Sequence, residues 1–210
     1  MKKIFSLDSP IIQGLGKVAD LMILNIIYLL SCLPVFTVGA ATAALYDVTT
    51  RLAKNDAMVW RHYWQAFRSN FKKATLIWLI LLLVAAVIYA CAIFYWSYEL
   101  PNKDLCLILL AFVAIVLLSV FSWVFPLQAR FENTVKLTLT NALLCSWSYF
   151  PRTIVITALN AFPILIFAFL PAIFVNSFFV FSFIWFAFSA YLCTKFLRKT
   201  MDQLEELASE

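Results

Sequence analysis

"ATLIWLILLLVAAVIYACAIFYWSY", residues 74–98, decides what kind of object this chain is. It contains no Asp, Glu, Lys, Arg or His, and it exceeds the roughly 20 apolar residues that a helix needs to cross a bilayer. Two more runs of this kind, Leu21–Tyr46 and Leu105–Ala129, are also free of charge, and Thr153–Thr194 is about twice as long. Of the 210 residues, 64% are hydrophobic and 13% charged, against roughly 45–50% and 25% in ordinary globular domains. One soluble core of this size cannot bury that excess. The runs do not alternate in polarity as the strands of an outer-membrane barrel do. The expected fold is therefore all-α: a polytopic transmembrane helix bundle, residues 1–210 forming one membrane-embedded domain.

The spans follow from where turn chemistry interrupts the apolar runs. Pro171 and the Asn176-Ser177 pair divide the longest run into a helical hairpin. Five spans are expected, at about 18–38, 74–98, 105–127, 153–172 and 177–195, followed by a tail, 196–210. Asp8, Lys17 and Asp20 interrupt what a cleavable signal peptide would keep apolar, so the first span is expected to stay. With five crossings, Lys2, Lys3, Lys17 and Lys103 fall on one side and the other twelve Lys/Arg on the opposite side. Basic excess marks the cytoplasmic side. This puts the C-terminus in the cytoplasm and the N-terminus outside a bacterial cell membrane. The three basic residues near the N-terminus resist that placement, and a first span that only dips into the membrane would relieve it.

Two soluble-looking segments carry pattern. In "WRHYWQAFRSNFKK" (60–73), Trp60, Tyr63, Trp64, Phe67 and Phe71 recur at helical spacing, while Arg61, Gln65, Arg68 and Lys72 fall opposite. A basic amphipathic helix with large aromatics suits the headgroup boundary of an anionic cytoplasmic leaflet. Trp60, Arg61, Trp64, Phe67, Arg68 and Lys72 are thus candidates for a lipid or partner interface. The tail turns from basic (Lys195, Arg198, Lys199) to acidic (Asp202, Glu205, Glu206, Glu210), as a helix leaving the bilayer would.

The third informative stretch is "SCLPVFTVGAATAAL" (31–45). Pro34 cannot donate a backbone hydrogen bond and clashes one turn back, so a helix should kink or end there. In hydrocarbon the freed carbonyls need partners, and Thr37 and Thr42 are side chains that supply them. Gly39, Ala40, Ala43 and Ala44 have the small-residue spacing that lets another helix approach closely. The expectation is a break and then a packing seam on a second helix, about 39–54, with Asn25, Pro34, Thr37, Gly39, Thr42 and Ala43 as its marked residues. A weak internal echo, "FKKATLIWLI" (71–80) against "FPRTIVITAL" (150–159), hints at a parallel repeat.

Much chemistry is missing. Apart from Asp20 and Lys195 at their ends, the spans contain no Asp, Glu, His, Lys or Arg of the kind that relays protons or ions, and the chain has no P-loop, HExxH or GxSxG run. Five cysteines without a CxxC pair and the lone His62 suggest neither a disulfide framework nor a metal site. No catalytic residue, metal or cofactor is expected, and neither is nucleic-acid binding.

"DLMILNIIYLLSCLPVFTVGAATAALYDVTTRL" (20–52), with its early Asn, Leu-Pro-Val, Thr-Val-Gly-Ala-Ala and Ala-Leu-Tyr, resembles the YesL family of bacterial membrane proteins, and the likeness continues through "FRSNFKKATLIWLI" (67–80). The resemblance implies an integral membrane protein of unknown molecular function, often encoded beside ABC-type importers of oligosaccharides. It carries no site residues with it. The expectation is a non-enzymatic accessory protein acting through its cytoplasmic loops on a membrane partner such as an ABC importer. The alternative is a transporter or permease subunit for a small neutral solute. Against the permease stands the 128–152 loop, which lacks the Glu-Ala-Ala-x3-Gly run expected of one.

Overall fold

The computed structural model describes residues 10–56, 58–98, 102–170, 172, 175 and 181–209. Among the described residues there is no strand, and the chain is an all-α bundle. Its elements are α1 (Pro10–Ser31), a 3-10 turn (Val35–Thr37), α2 (Val38–Ala53), α3 (Val59–Ser97), α4 (Lys103–Arg130), α5 (Val135–Ser148), α6 (Phe150–Phe169), a π turn (Phe181–Trp185) and α7 (Phe186–Ser209).

Three stretches among the described residues, Ile12–Ser31, α3 and α4, are each long and apolar enough to cross a membrane. α5 with α6 up to Pro163 makes a fourth only if the pair, bent by 110°, counts as one span. The turn expected at 173–176 lies largely outside the described residues, as does the start of the fifth span. Only 11% of the most apolar window of α3 and 6% of that of α4 is buried. Leu83, Val87, Trp96, Ile108, Leu109 and Ile115 all stand exposed. A surface this apolar has hydrocarbon as its solvent.

Several boundaries differ from the sequence reading, each for a physical reason. α1 ends at Ser31 rather than near residue 38, because Pro34 adopts an extended backbone (φ −76°, ψ 115°) and cannot continue the helix. Residues 60–73 are the opening turns of α3 rather than a separate helix, since nothing between 59 and 97 breaks the 39-residue run. At 1.5 Å per residue α3 is ~58 Å long, about twice the hydrocarbon thickness. The expected tail continues α7 without interruption to Ser209. The two halves of the internal echo occupy unlike places: 71–80 lies inside α3, while 150–159 opens α6 just after the 110° bend.

α2 is the centre of the molecule. It packs most extensively on α3 and also against α1, α4 and α7, and 11 of its 16 residues are buried. Small side chains make this closeness attainable: Ala40, Ala41, Ala43 and Ala44 are all fully enclosed. Gly39 meets α3 so tightly that a Cβ there would lie 2.6 Å from Trp78 Cβ and closer still to the Ala74 carbonyl oxygen.

The helices on either side of the break form a hairpin. Thr37 hydrogen-bonds back to Ser31, and Tyr28 reaches Thr42 at 3.4 Å, so residues 28–31 run antiparallel to 37–42. α1 therefore leads up to the break and α2 leads back from it. The start of α1 points toward the end of the bundle where α2 stops and α3 begins.

Gly39→Ala is expected to destabilise the detergent-solubilised protein by about 1–3 kcal/mol through overpacking. Gly14→Ala, where a Cβ meets nothing within 4 Å, should be neutral or stabilising. Thermal melts followed by circular dichroism compare the two, and equal melting temperatures for both variants would contradict the close approach.

Candidate functional site

The break is sealed by three donors from three elements. Thr37 Oγ1 lies 2.6 Å from the carbonyl oxygens of both Ser31 and Pro34. Trp78 Nε1, on α3, donates to the Val35 carbonyl at 2.8 Å. Ser31 Oγ donates to Ile27 at 2.8 Å. Carbonyls left over by a proline are thus covered inside the protein, as a break at membrane depth requires. Pro34 itself is exposed, with Leu33, Val35 and Phe36 around it. Thr42 Oγ1 returns to Val38 at 2.7 Å, and Ala43 is fully buried in the seam with Gly39.

Asn25 plays a separate part. Fully buried on α1, its Oδ1 accepts the backbone N–H of Ala187 at 2.9 Å. Ala187 is the second residue of α7, just past the π turn. Asn25 therefore ties α1 to the start of α7 rather than joining the break.

Between these helices lies a cavity of about 370 Å³, lined by Tyr28, Thr42, Leu45 and Tyr46 from α1 and α2, Phe121 and Phe125 from α4, Asn160, Pro163 and Phe167 from α6, and Phe186, Ser189 and Ala190 from the start of α7. That volume is in the range of small-molecule pockets, ~300–1,000 Å³. No charged side chain lines it. Sequence reading pointed to the break; the chamber beside it, with residues from five helices, needs the fold.

The polar end of the bundle gathers residues from distant parts of the chain. Arg130, at the end of α4, contacts Asp202 and Glu205 of α7. Arg152 hydrogen-bonds Thr200 and lies over the Tyr149 ring. Gln128, almost fully buried, bridges Asn70 on α3 (3.1 Å) and Thr138 on α5 (3.2 Å). Beside these ties, Asp47, Arg51, Gln65, Asn70, Lys73, Gln128 and Glu132 line a polar groove of about 470 Å³.

The interface candidates on α3 divide between two surfaces. Tyr63 is fully buried, and Phe67 and Phe71 pack against the core, forming a ring ladder with centroids 6.1 and 5.5 Å apart. Outside stand Trp60, Arg61, Gln65, Arg68 and Lys72, with Trp64 half-buried between the two sets. Trp60, Arg61, Trp64, Gln65, Arg68 and Ser69 together shape a broad, shallow surface hollow. The aromatic stripe thus serves mainly the core, and the exposed ridge is basic, with Trp60 exposed and Trp64 half-buried at its edge. Among the described residues no three His, Cys, Asp or Glu side chains converge as a metal site.

A family model described as a protein of unknown function, DUF624, matches residues 21–90. Those residues comprise the second half of α1, the break, α2 and α3 as far as Ala90. The uncharacterized protein YteU of Bacillus subtilis (strain 168) is 28% identical to the chain over 145 residues, 67% of this chain and 64% of YteU. The chain thus spans less than two thirds of the length of that relative. No solved structure matches it. The likeness falls where break, seam and central helix are built, and neither relative brings an assigned activity. The protein is an integral membrane protein of unknown molecular function.

Replacing Asn25 with Leu leaves the Ala187 N–H without its partner inside the protein. The expected loss is about 1–2 kcal/mol, read as a lower melting temperature in detergent, with Asn25→Gln recovering part of it. An unchanged melt for Asn25→Leu would show that this tie contributes nothing.

Proposed function

We propose that this is a non-enzymatic accessory protein that acts through its basic end on a membrane partner, an ABC-type importer of carbohydrate being the kind of partner the resemblance to the YesL family suggests. One observation carries this reading: the exposed Trp60, Arg61 and Arg68, with half-buried Trp64 between them, form a ridge beside a polar groove, at one end of a bundle whose flanks are otherwise apolar. Tryptophan and arginine are the side chains most often responsible for tight protein contacts. Lipid alone would not call for the adjoining groove.

The basic end is the cytoplasmic one in this reading, because basic excess follows the cytoplasm. The α1–α2 hairpin supports a re-entrant first segment in place of a full crossing. Lys17 then joins the basic side and both termini lie in the cytoplasm, which removes the resistance of the N-terminal lysines to the five-span arrangement.

A second reading, a carrier for a small neutral solute, draws on the uncharged chamber. Uptake by purified protein in liposomes would favour it over the accessory role.

The accessory role is tested by affinity capture from native membranes with the triple variant Arg61→Glu, Arg68→Glu, Lys72→Glu. Partner recovery should fall by about tenfold or more, as for charge reversal across a contact surface, while the amount of folded protein stays constant. Equal recovery by variant and wild type would overturn it.

A further inference from the structure

The uncharged chamber has a neighbour. A second cavity of about 140 Å³ is lined by Tyr46, Thr50 and Lys54 of α2, Pro126 and Arg130 of α4, and Thr194, Arg198 and Asp202 of α7, among others. Tyr46 lines both. On all three helices the lining steps onward by successive turns: Thr42, Tyr46, Thr50 and Lys54 on α2; Phe121, Phe125 and Arg130 on α4; Ala190, Thr194 and Arg198 on α7. The two cavities thus follow one another between the same three helices, meeting at Tyr46, and their lining changes from apolar to basic from the first to the second. From Ala190 to Arg198 the rise is ~12 Å, enough to pass from headgroup depth into hydrocarbon.

We propose that the two cavities together bind one membrane phospholipid with an anionic head, its phosphate in the mouth at Lys54 and Arg198 and an acyl chain in the chamber. The charges favour this occupant. Arg130 is already engaged by Asp202 and Glu205. Arg198 stands 4.0 Å from Asp202, and among the described residues Lys54 pairs with no carboxylate. Counting Asp202 and Glu205 against Lys54, Arg130 and Arg198 leaves one positive charge, the complement of a phosphodiester. The chamber disfavours a hydrophilic solute, because its polar groups are largely engaged within the protein. Thr42 Oγ1 donates to Val38, Ser189 Oγ to Phe186, and the Asn160 amide reaches Ser122 at 3.5 Å. What remains facing the space is mainly aromatic and aliphatic, as an acyl chain requires. Such a site serves in either leaflet and is independent of the accessory role.

The test is native mass spectrometry of the detergent-purified protein titrated with phosphatidylglycerol, phosphatidylcholine and, as a soluble phosphate without acyl chains, glycerol 3-phosphate. The wild type should retain one phosphatidylglycerol in preference to phosphatidylcholine and should not retain glycerol 3-phosphate at the same concentration. Lys54→Gln with Arg198→Gln should weaken phosphatidylglycerol binding about tenfold or more, two cations near a phosphate being worth about that. Ala190→Leu, which narrows the chamber, should weaken it without altering the melt; if that variant does not fold, Ser189→Val serves in its place. Undiminished binding in the cation variant or in the folded chamber variant would overturn the proposal, the lipid then being an unspecific annulus. Retention of glycerol 3-phosphate that is lost only in the cation variant would also overturn it, in favour of a site for a soluble phosphate.

Discussion

Hydrocarbon offers a broken helix no water, so every carbonyl released at residues 31–37 must find a donor within the protein. Thr37 supplies one from the break itself and Trp78 another from α3. Gly39 then lets the α3 backbone come close enough for the indole to reach. This local satisfaction makes the reversal tolerable, and the rest of the arrangement follows from it. α2 returns through the middle of the bundle, α1 is left on the outside tied to α7 by Asn25, and α3, α4 and α7 close around a small-residue core.

The two ends of the molecule are held by different forces. Toward the Ser97–Lys103 connection, α3 and α4 leave most of their surface exposed, and Lys103 lies over the Trp96 ring at 5.9 Å. At the polar end, specific hydrogen bonds and ion pairs join helices that the sequence separates widely, such as Arg130 with Glu205 and Gln128 with Asn70. The bend between α5 and α6 is fixed by the same means: Trp123 Nε1 donates to Thr153 Oγ1 at 2.8 Å, Thr153 Oγ1 donates to the Ser146 carbonyl, and the Trp123 ring stacks on Tyr149. Polar ties are directional, so this end has a defined shape, and its groove and basic ridge are surfaces that recognition can use.

Fold class was legible because uncharged runs longer than a bilayer leave only one solvent. The position of the break was legible too, since proline forbids helix whatever surrounds it, and the spacing of Gly39 and Ala43 announced a close contact. The direction taken after Pro34 was not. It depends on which donors stand ready, and the decisive one, Trp78, is 43 residues away. The length of α3 was missed for a related reason: a change from charged to apolar composition at Ala74 looks like a boundary, while the backbone has no cause to stop there. Aromatic periodicity at 60–71 cannot tell which side of a helix is buried: Tyr63 enters the core while Trp60 stays exposed. The tandem cavities left no signal, because each takes single residues from several helices.

The reversal at residues 32–37 is tested most directly by labelling single cysteines in sealed membrane vesicles, in a background where the native cysteines are replaced. Gly14→Cys, Lys54→Cys and Asn102→Cys report on the start of α1, the end of α2 and the α3–α4 connection. If α1 and α2 form a re-entrant hairpin, a membrane-impermeant maleimide will label Gly14→Cys and Lys54→Cys from one side and Asn102→Cys only from the other. Labelling of Gly14→Cys together with Asn102→Cys, and of Lys54→Cys from the opposite side, would show a full crossing and contradict the hairpin.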